Sequence, residues 1–178
     1  MTETLVRYIS KLTPSSLLLK GWPILDLRTL ATVVQCSPNT IEHLYLGVLR
    51  FENIHDLDDL LVNFLNIREL HMDDCVLYRN ASYARDFVSF TPRLRSLKLS
   101  RCKVAPFLSY FLRGGIAPAD LLSIKGITYG DVSVVGEYFS IFGDVLHELH
   151  VTFKHSADHD ILSLGTCTLR YSVLGFLT

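Results

Sequence analysis

The sequence predicts an α/β solenoid, a right-handed coil of short repeats with a parallel sheet on its concave face. Two observations predict it. Six stretches carry one apolar phrase of the form LxxLxLxxC, reading Leu17-Leu19-Trp22, Leu44-Leu46-Leu49, Leu70-Met72-Cys75, Leu97-Leu99-Cys102, Leu122-Ile124-Ile127 and Leu149-Val151. Their first residues lie 27, 26, 27, 25 and 27 positions apart. A fixed period in this range is the signature of leucine-rich repeats, in which no unit buries its own apolar face and stacking supplies the missing partner.

Each phrase predicts a short strand. Its first residue and the one two positions later point to the same side, and the third apolar residue turns in from the following loop. A helical or irregular return on the convex face then follows. Ile24-Leu25-Leu27-Leu30-Val33-Val34 and Ile54-Leu57-Leu60-Leu61-Phe64 have the spacing of amphipathic helices. Asp56, Asp58 and Asp59 are expected on the outer side or first turn of the second, where negative charge suits the helix dipole. Ser37-Pro38-Asn39 and Thr91-Pro92-Arg93 break the chain ahead of the second and fourth phrases. Phe64, Phe90 and Phe142 recur before a leading leucine and are expected to stack inside the array.

The pattern weakens after the fourth copy. Arg113-Gly114-Gly115-Ile116-Ala117-Pro118 reads as a loop, without the Lys-Ser/Thr that a phosphate-binding loop needs after its glycines. Lys154 fills the apolar third slot of the sixth copy, and Leu169 to Leu174 reads as a degenerate seventh in which Ser172 replaces the leading leucine. The expected organisation is a lead-in over residues 1–11 and one repeat domain over 12–178 with six or seven repeats. No polar cap is visible before Thr178, so the C-terminal end is expected to be truncated or covered by a partner.

Composition agrees with a single globular domain. Of 178 residues, 49% are hydrophobic and 20% charged, against the low hydrophobicity of disordered chains. A net charge of -1 and a pI near 6.6 provide no general attraction for nucleic acid or anionic lipid. Residues 161–178 contain Ser163, Thr166, Thr168, Arg170 and Ser172, which suits a membrane span poorly. Met1 to Leu12 lacks the apolar core and cleavage site of a signal peptide. The expectation is an intracellular protein, cytoplasmic or nuclear, with its four cysteines reduced and the Asn80-Ala81-Ser82 sequon idle.

The phrases resemble the cysteine-containing repeats of F-box/leucine-rich-repeat-like proteins of mushroom-forming fungi. Leu17 to Pro23, Ile41 to Leu46, Ile67 to Cys75, Leu94 to Cys102 and Leu146 to Val151 carry the likeness, over roughly residues 12–175. In that family the repeats recruit substrates, and a separate N-terminal F-box docks the adaptor of a cullin–RING ubiquitin ligase. The resemblance implies substrate recognition, with the adaptor as a partner only if an F-box lies outside this chain. The residues ahead of Leu17 contain no leucine- and proline-rich three-helix F-box.

Three columns of side chains are expected on the concave face. The first is Ser16, His43, Glu69, Ser96, Leu121 and Glu148; the second is Leu18, Tyr45, His71, Lys98, Ser123 and His150; the third is Lys20, Gly47, Asp73, Ser100, Lys125 and Thr152. A protein-binding surface is expected on Tyr45, His43, Glu69, His71, Asp73, Lys98, Ser123 and His150, because an aromatic anchor among charges of both signs suits protein recognition. The competing reading is a set of solvated strand residues.

No catalytic site, cofactor or metal is expected. His155 and His159 have the spacing of some zinc ligands but lack paired cysteines or a third ligand. Asp73-Asp74 and Asp158-His159-Asp160 read as solvated turns. Cys75 and Cys102 sit in a buried slot, while Cys36 and Cys167 have no histidine to activate them. The inner-face lysines Lys20, Lys98 and Lys125 alternate with Glu69, Asp73 and Glu148, unlike the single-signed stripe that tracks phosphates. The leading expectation is a non-catalytic protein-interaction module, the substrate-recognition repeats of an F-box-like protein. The alternatives are a stand-alone repeat scaffold unrelated to ubiquitin transfer and, behind it, a metal protein or enzyme using the histidines.

Overall fold

Six copies of the apolar phrase become six parallel strands. The computed structural model describes residues 14–21, 39–78, 93–116, 118 and 120–153, and the backbone of 169–172. The strands are β1 (Ser16–Lys20), β2 (His43–Gly47), β4 (Glu69–Asp73), β6 (Ser96–Ser100), β7 (Leu121–Ile127) and β8 (Glu148–Phe153). A last strand, β9 (Leu169–Ser172), completes a seven-stranded sheet in the order β1-β2-β4-β6-β7-β8-β9. Two short strands, β3 (Arg50–Phe51) and β5 (Val76–Leu77), pair in parallel as a second sheet. The helices are α1 (Ile54–Leu61), α2 (Val104–Arg113) and α3 (Val132–Phe142). The fold is α/β with a mostly parallel sheet.

Register follows the phrase without a slip from β1 to β7. Leu17, Leu44, Leu70, Leu97 and Leu122 stand opposite one another, as do Leu19, Leu46, Met72, Leu99 and Ile124. Both rows are buried from Leu44 onward, and the third slot adds Leu49, Cys75, Cys102 and Ile127 to the same core. A one-residue slip would turn every one of these side chains to the opposite face, so burial of one face fixes the register. Cys75 and Cys102 are free thiols, as expected. The Cys75 Sγ donates to Leu46 O at 3.4 Å, and the Cys75 amide donates to Cys102 Sγ at 3.4 Å. The Cys102 side chain beside it, together with burial, raises the Cys75 thiol pKa well above its ordinary value.

The turn leaving each strand is built alike. Gly21, Val48, Asp74, Arg101 and Gly126 occupy one repeat position, and all five have positive φ, from 53° to 86°. Their amides point toward the next repeat: Gly21 donates to Gly47 O, Val48 to Asp73 O and Asp74 to Ser100 O. Left-handed backbone is where glycine belongs and where a β-branched residue is strained. Val48, at φ 56°, is the strained member.

Helix α1 starts at a reciprocal cap. Asn53 Oδ1 accepts from the His55 amide at 2.8 Å, and Asp56 Oδ2 accepts from the Asn53 amide at 3.1 Å. Ile54, Leu57, Leu60, Leu61 and Phe64 are buried, as their spacing predicts. Asp56 sits in the first turn and Asp59 is exposed, but Asp58 departs from its expected outward place. It lies four residues after Ile54 and three before Leu61, hence on the inner face, and accepts the Tyr110 hydroxyl at 2.7 Å. Burial and this carboxylate raise the Tyr110 phenol pKa well above its ordinary value.

Helix α2 begins at Lys103, which supplies no side-chain cap. Asp131 does so from the next repeat, accepting from the Ala105 amide at 2.9 Å while its other oxygen accepts from the Thr128 amide at 2.9 Å. Asp131 thereby ties two return segments together.

A further expectation is corrected. The stretch at Leu169 is not a seventh parallel copy: β9 runs antiparallel to β8, pairing Leu149 with Tyr171. Without a leading leucine, Ser172 has no apolar slot to set a parallel register, whereas backbone pairing with the edge of β8 needs no side chain. Phe64 is fully buried, Phe142 meets Tyr138 at 5.0 Å, and Phe51 meets Phe107 across return segments at 6.4 Å; the expected aromatic stack runs through Phe90, which lies outside the described residues. Trp22, the helix at Ile24–Val34, Cys36, the breakers at Ser37-Pro38 and Thr91-Pro92, the Asn80 sequon, Phe90, Lys154, His155, His159 and Cys167 lie outside the described residues.

Two measurements check this architecture. Leu70→Asp and Leu97→Asp each bury a carboxylate in the shared core and should cost more than about 4 kcal/mol, so thermal melts by circular dichroism should lose the cooperative transition. Intact melts would refute the register. Val48→Gly relieves a left-handed strain of about 1–2 kcal/mol, offset by less than about 1 kcal/mol of glycine entropy. Its Tm should rise by about 2–4 °C; an unchanged or lower Tm would show that the turn carries no strain.

A candidate interaction surface on the strand face

Strand alternation turns every second side chain away from the core, and the register lines these up across repeats. All three expected columns form. Ser16, His43, Glu69, Ser96, Leu121 and Glu148 stand opposite one another; so do Leu18, Tyr45, His71, Lys98, Ser123 and His150; so do Lys20, Gly47, Asp73, Ser100, Lys125 and Thr152. A cavity of about 300 Å³ lies over the first two columns, with His43, Tyr45, Glu69, His71, Ser96 and Lys98 in its lining.

Tyr45 is held in place by its neighbours. Its hydroxyl donates to Asp73 Oδ2 at 3.0 Å, and its ring meets His71 edge-on with centroids 4.6 Å apart. The ring leans along the strand over Gly47, where an added Cβ would come within 2.7 Å of Tyr45 Cε1. Absence of a side chain at Gly47 is therefore what lets the phenol reach Asp73. Burial raises the Tyr45 phenol pKa, and the Asp73 carboxylate adds to the effect.

Asp73 is the electrostatic centre of the patch. Arg101 grips it through two nitrogens, with Nε at 2.9 Å from Oδ1. This fork is the strong bidentate form of an arginine–carboxylate pair. Arg101 holds the Asp73 carboxyl down at about 2, against an ordinary value of 3.8. Arg101 was not legible as a site residue, because it sits in the left-handed turn position and outside the three columns. Its only sequence signal is its offset of one repeat from Asp74.

Acidic and imidazole groups pair along the first two columns. His43 Nδ1 lies 3.3 Å from Glu69 Oε2, and His150 Nε2 lies 2.6 Å from Glu148 Oε1. Both pairs are well exposed to solvent at their carboxylates and contribute little to stability. Burial keeps His71 below its ordinary value, so it is neutral at pH 7. Ser123 is buried beneath this face and Lys98 is half-buried. The expected site residues are thus brought together in two clusters, one around Tyr45, His71 and Asp73 and one at Glu148–His150, with Lys98 and Ser123 between them.

Among the described residues no group of three or more His, Cys, Asp or Glu side chains could hold a metal ion, and no helix is long and apolar enough to cross a membrane. Compared with protein-family models, curated proteins and solved structures, the chain matches none.

The grip on Asp73 has a pH signature. A carboxyl depressed in the folded state stabilises it above the unfolded value near 3.8 and loses that contribution as pH falls through about 2. Asp73→Asn should lower Tm at neutral pH and flatten the fall in Tm between about pH 4 and pH 2. Parallel Tm-against-pH curves for the two proteins would exclude this role.

Proposed function

We propose that the chain is a leucine-rich-repeat solenoid acting as a non-catalytic protein-interaction module, with the strand face as its binding surface. One strand per 25–27 residues, each seated beside its sequence predecessor and in register with it, supports the solenoid reading. The observation that carries the functional reading is the alignment of Tyr45, His71, Asp73 and Lys98 on adjacent strands beside a cavity. Tyr45 is partly buried, pre-oriented by Asp73 and flanked by charges of both signs, which is the make-up of an interface anchor. Its rotamer is already fixed, so little side-chain entropy remains to be lost on binding.

The repeat phrases further support a role as the substrate-recognition part of an F-box-like protein, with the cullin-ligase adaptor bound through an F-box outside this chain. Buried free thiols at Cys75 and Cys102 fit a reducing, intracellular setting.

The test is affinity capture from the source cells followed by binding with the purified partner. Tyr45→Ala and Lys98→Ala should keep a cooperative melt and each raise the partner's Kd about tenfold, the scale of an interface anchor. Asp59→Lys and Glu137→Lys, on the helical side, should leave Kd unchanged. The reverse pattern would place the interface on the helices and reject the reading.

A further inference from the structure

The cavity over the first two columns has a polar floor that the described contacts leave unused. Ser96 is 7% exposed, yet its Oγ has no hydrogen-bond partner among the described residues. Buried hydroxyls are nearly always paired, because leaving one unpaired costs stability. Strand alternation points Ser96 to the same face as Lys98, two residues on, while Leu97 and Leu99 point into the core. Both line the cavity.

The charges around the cavity sort by pairing. Asp73 is taken by Arg101 and Tyr45, and Glu69 faces His43. Lys98 and, one strand further, Lys125 make no ion pair among the described residues. Burial, with Lys98 and Lys125 adding to it from the two following strands, holds His71 below its ordinary value. The unused groups are thus a hydroxyl closed off beneath the cavity and the ammonium of a lysine two residues on along the same strand, with Tyr45 and exposed Leu18 also in the lining.

We infer that this cavity binds a carboxylate, supplied by an acidic side chain of a protein partner, with Lys98 Nζ providing the countercharge and Ser96 Oγ, closed off in the free protein, turning about its Cα–Cβ bond to donate to one oxygen. The inference rests on the strand face being the interaction surface and names the chemistry that this surface takes. A protein side chain fits better than a free small acid, because Leu18 and Tyr45 line the same cavity and would seat a neighbouring apolar residue. Binding satisfies a donor that folding leaves unpaired, so Ser96 costs the free protein stability and benefits the complex.

The experiment uses the ¹⁵N-labelled full chain and four probes: a short end-capped peptide with a central glutamate between leucines, its glutamine counterpart, free glutarate, and inorganic phosphate. The glutamate peptide should shift the Ser96 and Lys98 amides, and the glutamine peptide should bind about tenfold more weakly, the loss of one charge-assisted hydrogen bond. Ser96→Ala and Lys98→Met should each weaken the glutamate peptide at least about fivefold on the same grounds. Ser96→Ala should also melt no lower than wild type, since it removes an unpaired buried hydroxyl, and this separates loss of a ligand contact from loss of fold. Equal shifts by both peptides around Tyr45 and His71 would overturn the carboxylate site while leaving the face as a protein surface. Glutarate or phosphate binding as tightly as the glutamate peptide would overturn the protein side chain as occupant. No shift anywhere on the strand face would overturn both the site and the surface.

Discussion

Everything in this molecule depends on the stacking of one apolar row on the next. Leu44, Leu70, Leu97 and Leu122 form one such row and Leu46, Met72, Leu99 and Ile124 another, all of them buried. Removing a buried leucine from water is worth about 1.5–3 kcal/mol, but only when the neighbouring repeat covers it. Stability is therefore shared along the stack rather than held within any repeat. The parallel ladder, the left-handed turn residues and the amides they send to the next strand all sit where this stacking puts them.

The same constraint makes the outer face. Because the core rows fix register, the alternate residues fall into columns, and side chains far apart in sequence become neighbours. Tyr45 and Asp73 are 28 residues apart, as are Arg101 and Asp73. The phenol, the carboxylate and the guanidinium form one network, for which Gly47 leaves room by having no side chain. Ser96 is the buried hydroxyl on this face that has no hydrogen-bond partner among the described residues.

The six parallel strands of the phrase, their register and all three columns were legible in the sequence, because a strand alternates with period two and the phrase repeats with nearly constant spacing. What could not be read depends on partners that only folding supplies. Asp58 reads as a surface residue of α1 until Tyr110, 52 residues later, brings a hydroxyl to it. Asp131 carries no mark in the sequence of its role, which appears only when the start of α2, without a side-chain cap of its own, presents the Ala105 amide. Arg101 lies in a turn, where strand periodicity makes no statement about direction. The antiparallel course of β9 was missed because Leu169 to Ser172 was judged by its likeness to the phrase, whereas an open strand edge accepts backbone pairing in either direction.

The most direct test of the shared stack is amide hydrogen exchange by NMR, comparing the wild type with Leu70→Ala. If stability is held in common, the protected amides of β2, β4, β6 and β7 exchange with one free energy, and the substitution lowers all of them together by about 2–5 kcal/mol. A loss confined to β4 and its immediate neighbours, with β7 unchanged, would contradict a single stacked core.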